Sequence, residues 1–272
     1  MIYKNRKIQY PLSRYIDTIY YVSMEGNSFK KNVIPDGKTD IIFNLNSNEL
    51  GFFKDGKAIY SKGNIIQGIR KSNFQYIAKD VIELLGIRLM PFGIYTLFNI
   101  PSSELSENPV ELSLVIGNSI KELEEKISDA ENIEAKLDIL QNWLYSLLLR
   151  SQEKNGMLID AIYRIYNTQG KSAISDVCKN NYNYYKKIQR SFREAIGISP
   201  KLYARMVRFE SLHNALLNSK KFSTKEFISQ EIDWFDIITK FNFYDQSHLT
   251  KEFQFFTGHT PQEFVRRIER FV

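Results

Sequence analysis

Gln246, His248, Thr250 and Lys251 fall within six consecutive residues, and Lys186, Lys187, Gln189, Arg190 and Arg193 within eight. Each side chain carries a hydrogen-bond donor or acceptor, and five of the nine are Lys or Arg. The chemistry such groups can do together is recognition of a patterned polyanion. Lys and Arg donate to phosphate oxygens or to guanine O6 and N7, Gln pairs two-pronged with adenine, and the Thr methyl can touch thymine. No nucleophile with an adjacent base is needed for that work, and none is evident.

The elements that must hold these side chains are legible around them. In Asn242–Phe264, NFYDQSHLTKEFQFFTGHTPQEF, Asp245 and Ser247 are suited to cap a helix. Leu249, Phe253 and Phe256 recur at i, i+4 and i+7 as a buried face, leaving Gln246, His248, Thr250 and Lys251 on the other side. Gly258 and Thr260-Pro261 end the helix. In Tyr184–Pro200, YYKKIQRSFREAIGISP, Ile188, Phe192 and Ala195 or Ile196 form the buried stripe, with Lys186, Lys187, Gln189, Arg190 and Arg193 outside. Gly197-Ile-Ser-Pro200 then repeats the stop of Gly258-His-Thr-Pro261. The recurrence of one helix-and-stop pattern about sixty residues apart is far more specific than either copy alone.

Charge supports the same chemistry. The net charge is +6, yet residues 1–155 carry 19 Lys+Arg and 19 Asp+Glu while residues 156–272 carry 18 and 12. The whole basic excess sits in the half with the two patterned helices, as an electrostatic footprint on phosphate requires. One cysteine, Cys178, excludes an intrachain disulfide and reads as a core residue on an apolar helix face. The first residues lack the apolar run of a signal peptide, and no segment approaches the ~18 apolar residues that span a bilayer. A cytoplasmic protein with no membrane partner is expected.

Residues 1–100 read as β-rich. Candidate strands are 18–24, 39–45, 65–69, 74–79 and 81–89, with Pro35-Asp36-Gly37 and Lys54-Asp55-Gly56 as turns. Short strands at this spacing favour a barrel or sandwich. After Pro91-Phe92-Gly93 the pattern turns helical, with candidates at 111–116, 119–127 and 133–149. In the last, Ile133, Leu137, Leu140, Leu144, Leu147 and Leu148 make a stripe that either packs on its own β-domain or pairs two subunits. On the second reading Leu137, Leu140, Leu144 and Leu147 form a dimer contact. Polar residues 151–157 mark a domain boundary, followed by helices at 158–166 and 172–179 and a turn at 180–183. The expected fold class is α+β: a β-rich, barrel-like domain at 1–150, a linker at 151–157, and an all-α domain at 158–272.

The stretch 242–264 resembles the signature of the AraC/XylS family of bacterial transcription regulators. The resemblance rests on Phe243, Asp245, Ser247, Phe253, Gly258, Thr260 and Pro261. The chain departs from the signature with Asn242 for glycine, Leu249 for phenylalanine, Lys251 for arginine and Phe264 for tyrosine. Asn tolerates positive φ better than other non-glycine residues, whereas Lys251 lacks the two-pronged fork of arginine. The likeness spans about 158–270 and implies two helix-turn-helix units joined by a long helix, here 200–218, with Tyr203, Val207, Leu212 and Leu216 in the core and Arg208 matching a common linker arginine. The first recognition helix departs from the family at Tyr184-Tyr185, where Asn183 would cap and the tyrosines would stack on sugar or bases. In the N-terminal half, Ile34-Pro35-Asp36-Gly37, Gly86-Ile87-Arg88 and Pro91-Phe92-Gly93 resemble an uncharacterised domain found ahead of AraC-type modules, over about 8–148. Such domains in the wider family are cupin-like.

By residue-for-residue match, the resemblance implies base contacts from Lys186, Gln189 and Arg190 in one major groove and from Gln246, His248, Thr250 and Lys251 in the next. Lys187 and Arg193 would meet phosphate. The implied partner is double-stranded DNA, with a small-molecule effector, a homodimer partner and RNA polymerase as further expectations. No cofactor and no metal are expected: His213, His248 and His259 all lie in the C-terminal half, so the β-domain lacks the histidine cluster of a metal-dependent cupin. An enzyme in the N-terminal half would have to use carboxylates such as Asp36, Asp40 and Glu83, and nothing in the sequence places two of them together.

Overall fold

The structure, a computed structural model, describes residues 2–24, 29–46, 48–54, 56–78, 80–105, 107–151, 156–178, 181–218 and 232–267. The protein is α+β. Strands fill the first part: β1 (Ile2–Lys7), β2 (Ile16–Met24), β3 (Phe29–Val33), β4 (Thr39–Asn44), β5 (Leu50–Lys54), β6 (Lys57–Ser61), β7 (Ile65–Gln67), β8 (Phe74–Ala78), β9 (Ile82–Leu89) and the short β10 (Val110–Glu111). They form two antiparallel sheets, one ordered β1-β2-β9-β4-β7-β10 and the other β3-β8-β5-β6. Four helices follow: α1 (Gly93–Phe98), α2 (Leu112–Ile116), α3 (Ile120–Asp129) and α4 (Ile133–Arg150).

The centre of the larger sheet is buried on both faces, which explains why its strands read as nearly unbroken apolar runs. From β4 and β9, Ile42 and Leu84 face the smaller sheet and pack with Leu50, Phe52, Phe74 and Ala78. Ile41, Phe43, Leu85 and Ile87 face the other way, into a core that includes the helices. Each such side chain taken from water contributes about 1.5–3 kcal/mol. Each of the stretches 18–24, 39–45, 65–69, 74–79 and 81–89 contains a strand, although β7 ends at Gln67 and Lys79 lies outside the described residues. β1, β3, β5 and β6 are further strands: β1 and β3 are largely polar and are strands through their pairing with β2 and β8, whereas β5 and β6 flank the expected turn as a local hairpin. Lys57 pairs with Lys54 across the β5–β6 hairpin, and Gly56 takes φ +77°; Asp55 of the expected turn lies outside the described residues.

Helix α4 corrects one expectation. Leu137, Leu140 and Leu144 are at most 2 % exposed and belong to the core of the chain itself, so they cannot be the faces that meet a second subunit. Leu147 is half-buried against the same core. The other side of α4 is tied to the sheet by Arg6, which pairs with Glu134 at 2.8 Å and also with Asp138.

The remaining helices are α5 (Gly156–Asn167), α6 (Ile174–Val177), α7 (Tyr182–Ala195), α8 (Pro200–Asn218), α9 (Trp234–Lys240), α10 (Gln246–Thr257) and α11 (Pro261–Arg266). α6 is shorter than the helix expected over 172–179, of which Lys179 is outside the described residues. Of the anticipated linker, 152–155 is also outside them. One continuous apolar core runs from the sheet through α4 and α5 into α7, α8 and α10.

Candidate nucleic-acid interface

Helix α10 begins and ends on its expected residues. The Asp245 carboxylate accepts the amide of His248 at 2.7 Å. Gly258 ends the helix at φ +74°, a conformation glycine adopts without a Cβ clash. Thr260 does more than stop α10: with Glu263 it forms a reciprocal capping box that starts α11 at Pro261. Leu249, Phe253 and Phe256 are fully buried, Gln246 and Lys251 are exposed, and His248 and Thr250 are half-exposed.

The preceding turn holds α10 at a defined angle to α9. Asn242 takes φ +55°, so the asparagine does the conformational work of the family's glycine. Its carbonyl accepts from Arg208 Nη1 at 3.2 Å, and the Arg208 guanidinium lies 4.7 Å over the Phe243 ring. The sequence reading missed Glu252, which shares the buried face of α10. Its carboxylate, 5 % exposed as a residue, accepts from Arg205 Nε at 2.9 and 3.2 Å and sits 3.9 Å from Arg208 Nη2. A charged residue in an apolar stripe was the available signal. His248 is partly committed to this framework: Nδ1 accepts the Tyr244 amide at 3.2 Å, and Nε2 is 3.7 Å from Glu252. Its Nδ1 is therefore closed to a base edge.

Helix α7 repeats the design with one correction of register. It starts at Tyr182, not Tyr184, and the cap is Asn181, whose side chain accepts the Tyr184 amide at 3.0 Å. Consequently Tyr184 and Tyr185 are half-buried against the core, and Tyr182, 68 % exposed, is the tyrosine on the open surface. Ile188, Phe192 and Ala195 are buried as expected. Lys186, Lys187, Gln189, Arg190 and Arg193 are all exposed. Three of them have partners one turn away: Lys186 lies 4.6 Å over the Tyr182 ring, Gln189 donates to the Tyr185 hydroxyl at 2.8 Å, and Arg190 Nε donates to Glu194 at 2.8 Å. Such exposed i, i+4 contacts are screened by solvent and weak, little to give up for a better partner. Gly197, φ +80°, ends α7, and Ser199 caps α8 by accepting the Leu202 amide at 3.1 Å.

Helix α8 carries both units. Tyr203 and Phe192 pack with ring centroids 5.8 Å apart, while Phe209 meets Phe253 at 4.9 Å and Phe256 at 5.0 Å. The N-terminal half touches all three parts of this assembly. Ser103 Oγ donates to the Glu194 carbonyl at the end of α7 (3.0 Å), and Asn73 Nδ2 to the Thr257 carbonyl at the end of α10 (3.0 Å). On α8, Tyr203 lies so close to Gly37 that a Cβ there would come within 2.8 Å of its ring.

Between the two sheets and α8 lies a cavity of about 540 Å³, lined among others by Tyr20, Lys31, Asp40, Arg88, Glu210 and His213. Asp36 and Asp40, which the sequence did not bring together, meet here. Arg88 pairs with Asp36 at 3.2 Å and with Asp40 at 3.3 Å, and Arg70 donates to Asp40 at 2.9 Å. Burial by itself would raise the Asp36 carboxyl, but Arg88, Arg70 and Lys38 overcome it and bring it down to about 2. Ionised and arginine-bound, Asp36 is a structural anion, not a proton carrier at neutral pH. Burial lowers His213 to about 4, and its Nε2 has no hydrogen-bond partner among the described residues. Cys178 is fully buried, and burial raises its thiol.

The geometry is that of a two-sheet domain bearing a helical module with a duplicated helix, glycine stop and helix. Residues 9–111 match the family model of a domain of unknown function, DUF6597. No curated protein sequence matches the chain. Among solved structures the chain is similar to ToxT from Vibrio cholerae, at 11 % identity and TM-score 0.45 over 98 % of each chain. It is also similar to wild-type ToxT with bound unsaturated fatty acid, at 10 % identity and TM-score 0.47 over 91 % of this chain and 94 % of that one. The AraC-like transcriptional activator CuxR aligns at 12 % identity and TM-score 0.28 over 78 % of this chain and 86 % of that one. No helix among the described residues is long and apolar enough to cross a membrane.

Proposed function

We propose that the protein is a sequence-specific DNA-binding transcription regulator of the AraC/XylS type. Residues 158–272 would bind double-stranded DNA, and residues 1–150 would sense a signal. The observation that carries this reading is the duplication: α7 and α10 each have a side-chain cap (Asn181, Asp245), a buried stripe with an exposed polar face, and a positive-φ glycine at the C-cap (Gly258) or one residue past it (Gly197). Each is followed by a helix that begins at proline. A single such helix is common; two of them packed on one connecting helix, in the half with all of the basic excess, suit a protein that reads two successive major grooves.

In this reading Lys186, Gln189 and Arg190 meet bases in the first groove, and Gln246, Thr250 and Lys251 in the second. His248 contributes through Nε2 alone. Lys187 and Arg193 neutralise phosphate. Helix α8 would space the two readers by about one turn of DNA, roughly 34 Å, so that one chain covers an asymmetric site. Contacts from the N-terminal half to the ends of both recognition helices supply a route by which a small molecule or a second chain could act, provided it binds two arrangements of the halves unequally. The dimer contact, if one forms, uses a surface other than Leu137, Leu140 and Leu144. RNA polymerase would be the partner of an activator bound at a promoter.

Selection of duplexes from a random DNA library by the full-length protein, at about 0.15 M salt where weak non-specific binding is suppressed, tests the reading. Enrichment of an asymmetric site with two blocks about ten base pairs apart is expected. Failure to enrich any sequence would overturn sequence-specific recognition.

A further inference from the structure

A second cavity, about 920 Å³, lies between β5 and β6, residues 67–74, residues 102–105 and 107–109, and the turn Ile196–Gly197–Ile198 that follows α7. Among the described residues its charged lining is one-sided: Lys54, Lys57, Arg70 and Lys71 against the carboxylate of Glu107. Arg70 is 3 % exposed, its guanidinium lies 4.8 Å over the Phe74 ring, and its hydrogen bonds all leave from one nitrogen. Nη1 donates to Asp40 at 2.9 Å and to Gln67 at 3.2 Å. Nε and Nη2 have no hydrogen-bond partner among the described residues, and the nearest charge to Nη2 is Asp36 at 3.7 Å, beyond hydrogen-bond reach. Those two atoms are the edge with which arginine grips an oxyanion two-pronged. Buried and unsatisfied, they carry a desolvation cost that an oxyanion would relieve. Ser102 Oγ, on a residue 4 % exposed, lines the same cavity with no partner among the described residues.

We propose that this cavity is a binding site for a small organic oxyanion of at least two negative charges, a phosphate ester or a polycarboxylate, held by Arg70, Lys57, Lys71 and Ser102. Glu107 marks the place the anion takes. Its carboxylate accepts from Lys54 Nζ at 2.7 Å and lies 3.4 Å from Lys71 Nζ, an internal counter-ion that a multiply charged ligand displaces or joins. Phe52, Phe74 and Ile59 on the same wall would take the ligand's apolar body.

The site has a mechanical consequence that rests on the DNA-binding reading. Its far wall is the stop of the first recognition helix, where Gly197 is pressed so tightly on Ser102 and Ser103 that a Cβ would come within 3.2 Å of their backbone. An anion bridging Arg70 and this turn stabilises the docked arrangement of the halves, and DNA and anion must then alter each other's affinity by the same factor.

Calorimetric titration of the full-length protein with sodium pyrophosphate and, separately, citrate tests the site without DNA, at about 0.15 M salt so that exposed charges are screened. One saturable site is expected, and the tighter of the two anions assigns the phosphate or the carboxylate class. The double variant Lys57→Ala/Lys71→Ala, which alters exposed side chains and leaves the buried ion pairs intact, should bind roughly tenfold more weakly, and Arg70→Lys at least as weakly. Glu107→Gln should bind more tightly, because a competing carboxylate is gone. Lys186→Ala/Arg190→Ala, on the DNA-facing helix, should bind as the parent does. Absence of saturable binding by both anions, an unchanged affinity in Lys57→Ala/Lys71→Ala, or a loss confined to Lys186→Ala/Arg190→Ala overturns the proposal. A protein that selects DNA but binds neither anion lacks the site and keeps the regulator reading; one that binds anion but selects no DNA keeps the site and loses the coupling.

Discussion

The ammonium of Lys38, just before β4, lies 3.5 Å from the carboxylate of Glu210 on α8. The two residues are 172 apart in sequence, and their pair joins the sheet domain to the helix on which both α7 and α10 pack. Lys38 also reaches Asp17 at 3.1 Å. Burial by itself would lower Lys38, but Glu210, Asp36 and Asp17 raise it above the usual lysine range. Removing one member leaves the other desolvated and unpaired. Lys38→Met and Glu210→Gln should each destabilise the protein by about 2–4 kcal/mol, and the double variant by less than the sum. Urea midpoints for the four proteins of the cycle check this; strict additivity would mean the pair is not coupled.

His213 should make stability pH-dependent. Its ring lies on α8, with its centroid 5.7 Å from that of Phe264, and burial lowers its pKa from 6.5 to about 4. Below pH 6.5 the unfolded chain takes up a proton that the folded one refuses until about pH 4, so stability present above 6.5 is lost as pH falls through that window. The loss should reach at most about 3 kcal/mol. His213→Phe should flatten the profile between those limits; an unchanged slope would assign the acid sensitivity elsewhere.

On the proposed reading the exposed residues of α7 and α10 should separate into two kinds. Arg190→Ala and Gln246→Ala, proposed to meet base edges, should each weaken binding by roughly ten- to a hundredfold and relax preference at one position of the selected site. Arg193→Ala should weaken all sequences alike and reduce the slope of log affinity on log salt by about 1. Fluorescence anisotropy on matched and mismatched duplexes distinguishes the two. If Arg190 and Arg193 behave identically, the register assigned to α7 is wrong.

Leu140 and Leu144 should matter for folding, not association. Both are fully buried, and Leu→Ala at such positions costs about 2–5 kcal/mol. The fall in Tm should not depend on protein concentration, and sedimentation should show the same assembly state for variant and parent. A concentration-dependent shift would restore the leucines to a subunit contact.

Helix α10 was readable almost to the residue. Its cap, stripe and stop are local features, each fixed by side chains within one turn of where they act. Helix α7 was readable in pattern but not in register, because the expected cap, Asn183, lies inside a helix that Asn181 caps two residues earlier. Tertiary packing of Tyr184 and Tyr185 on the core accompanies the choice of Asn181. The leucine stripe of α4 showed which face is apolar, while what covers that face lies elsewhere in the chain.

By itself, then, the sequence determined the α+β class, the helical periodicities, the paired glycine stops and the segregation of basic charge. All of these depend on neighbours within a few residues or on simple counts. Tertiary structure alone decided the long-range matters: the joining of Asp36 and Asp40 through Arg70 and Arg88, the tie of Lys38 to Glu210 and the place of Glu252 among arginines. The reason is physical. A helix stripe or a cap needs only the chain's own short period, whereas an ion pair between residues dozens of positions apart exists only once the core has set the distance between them.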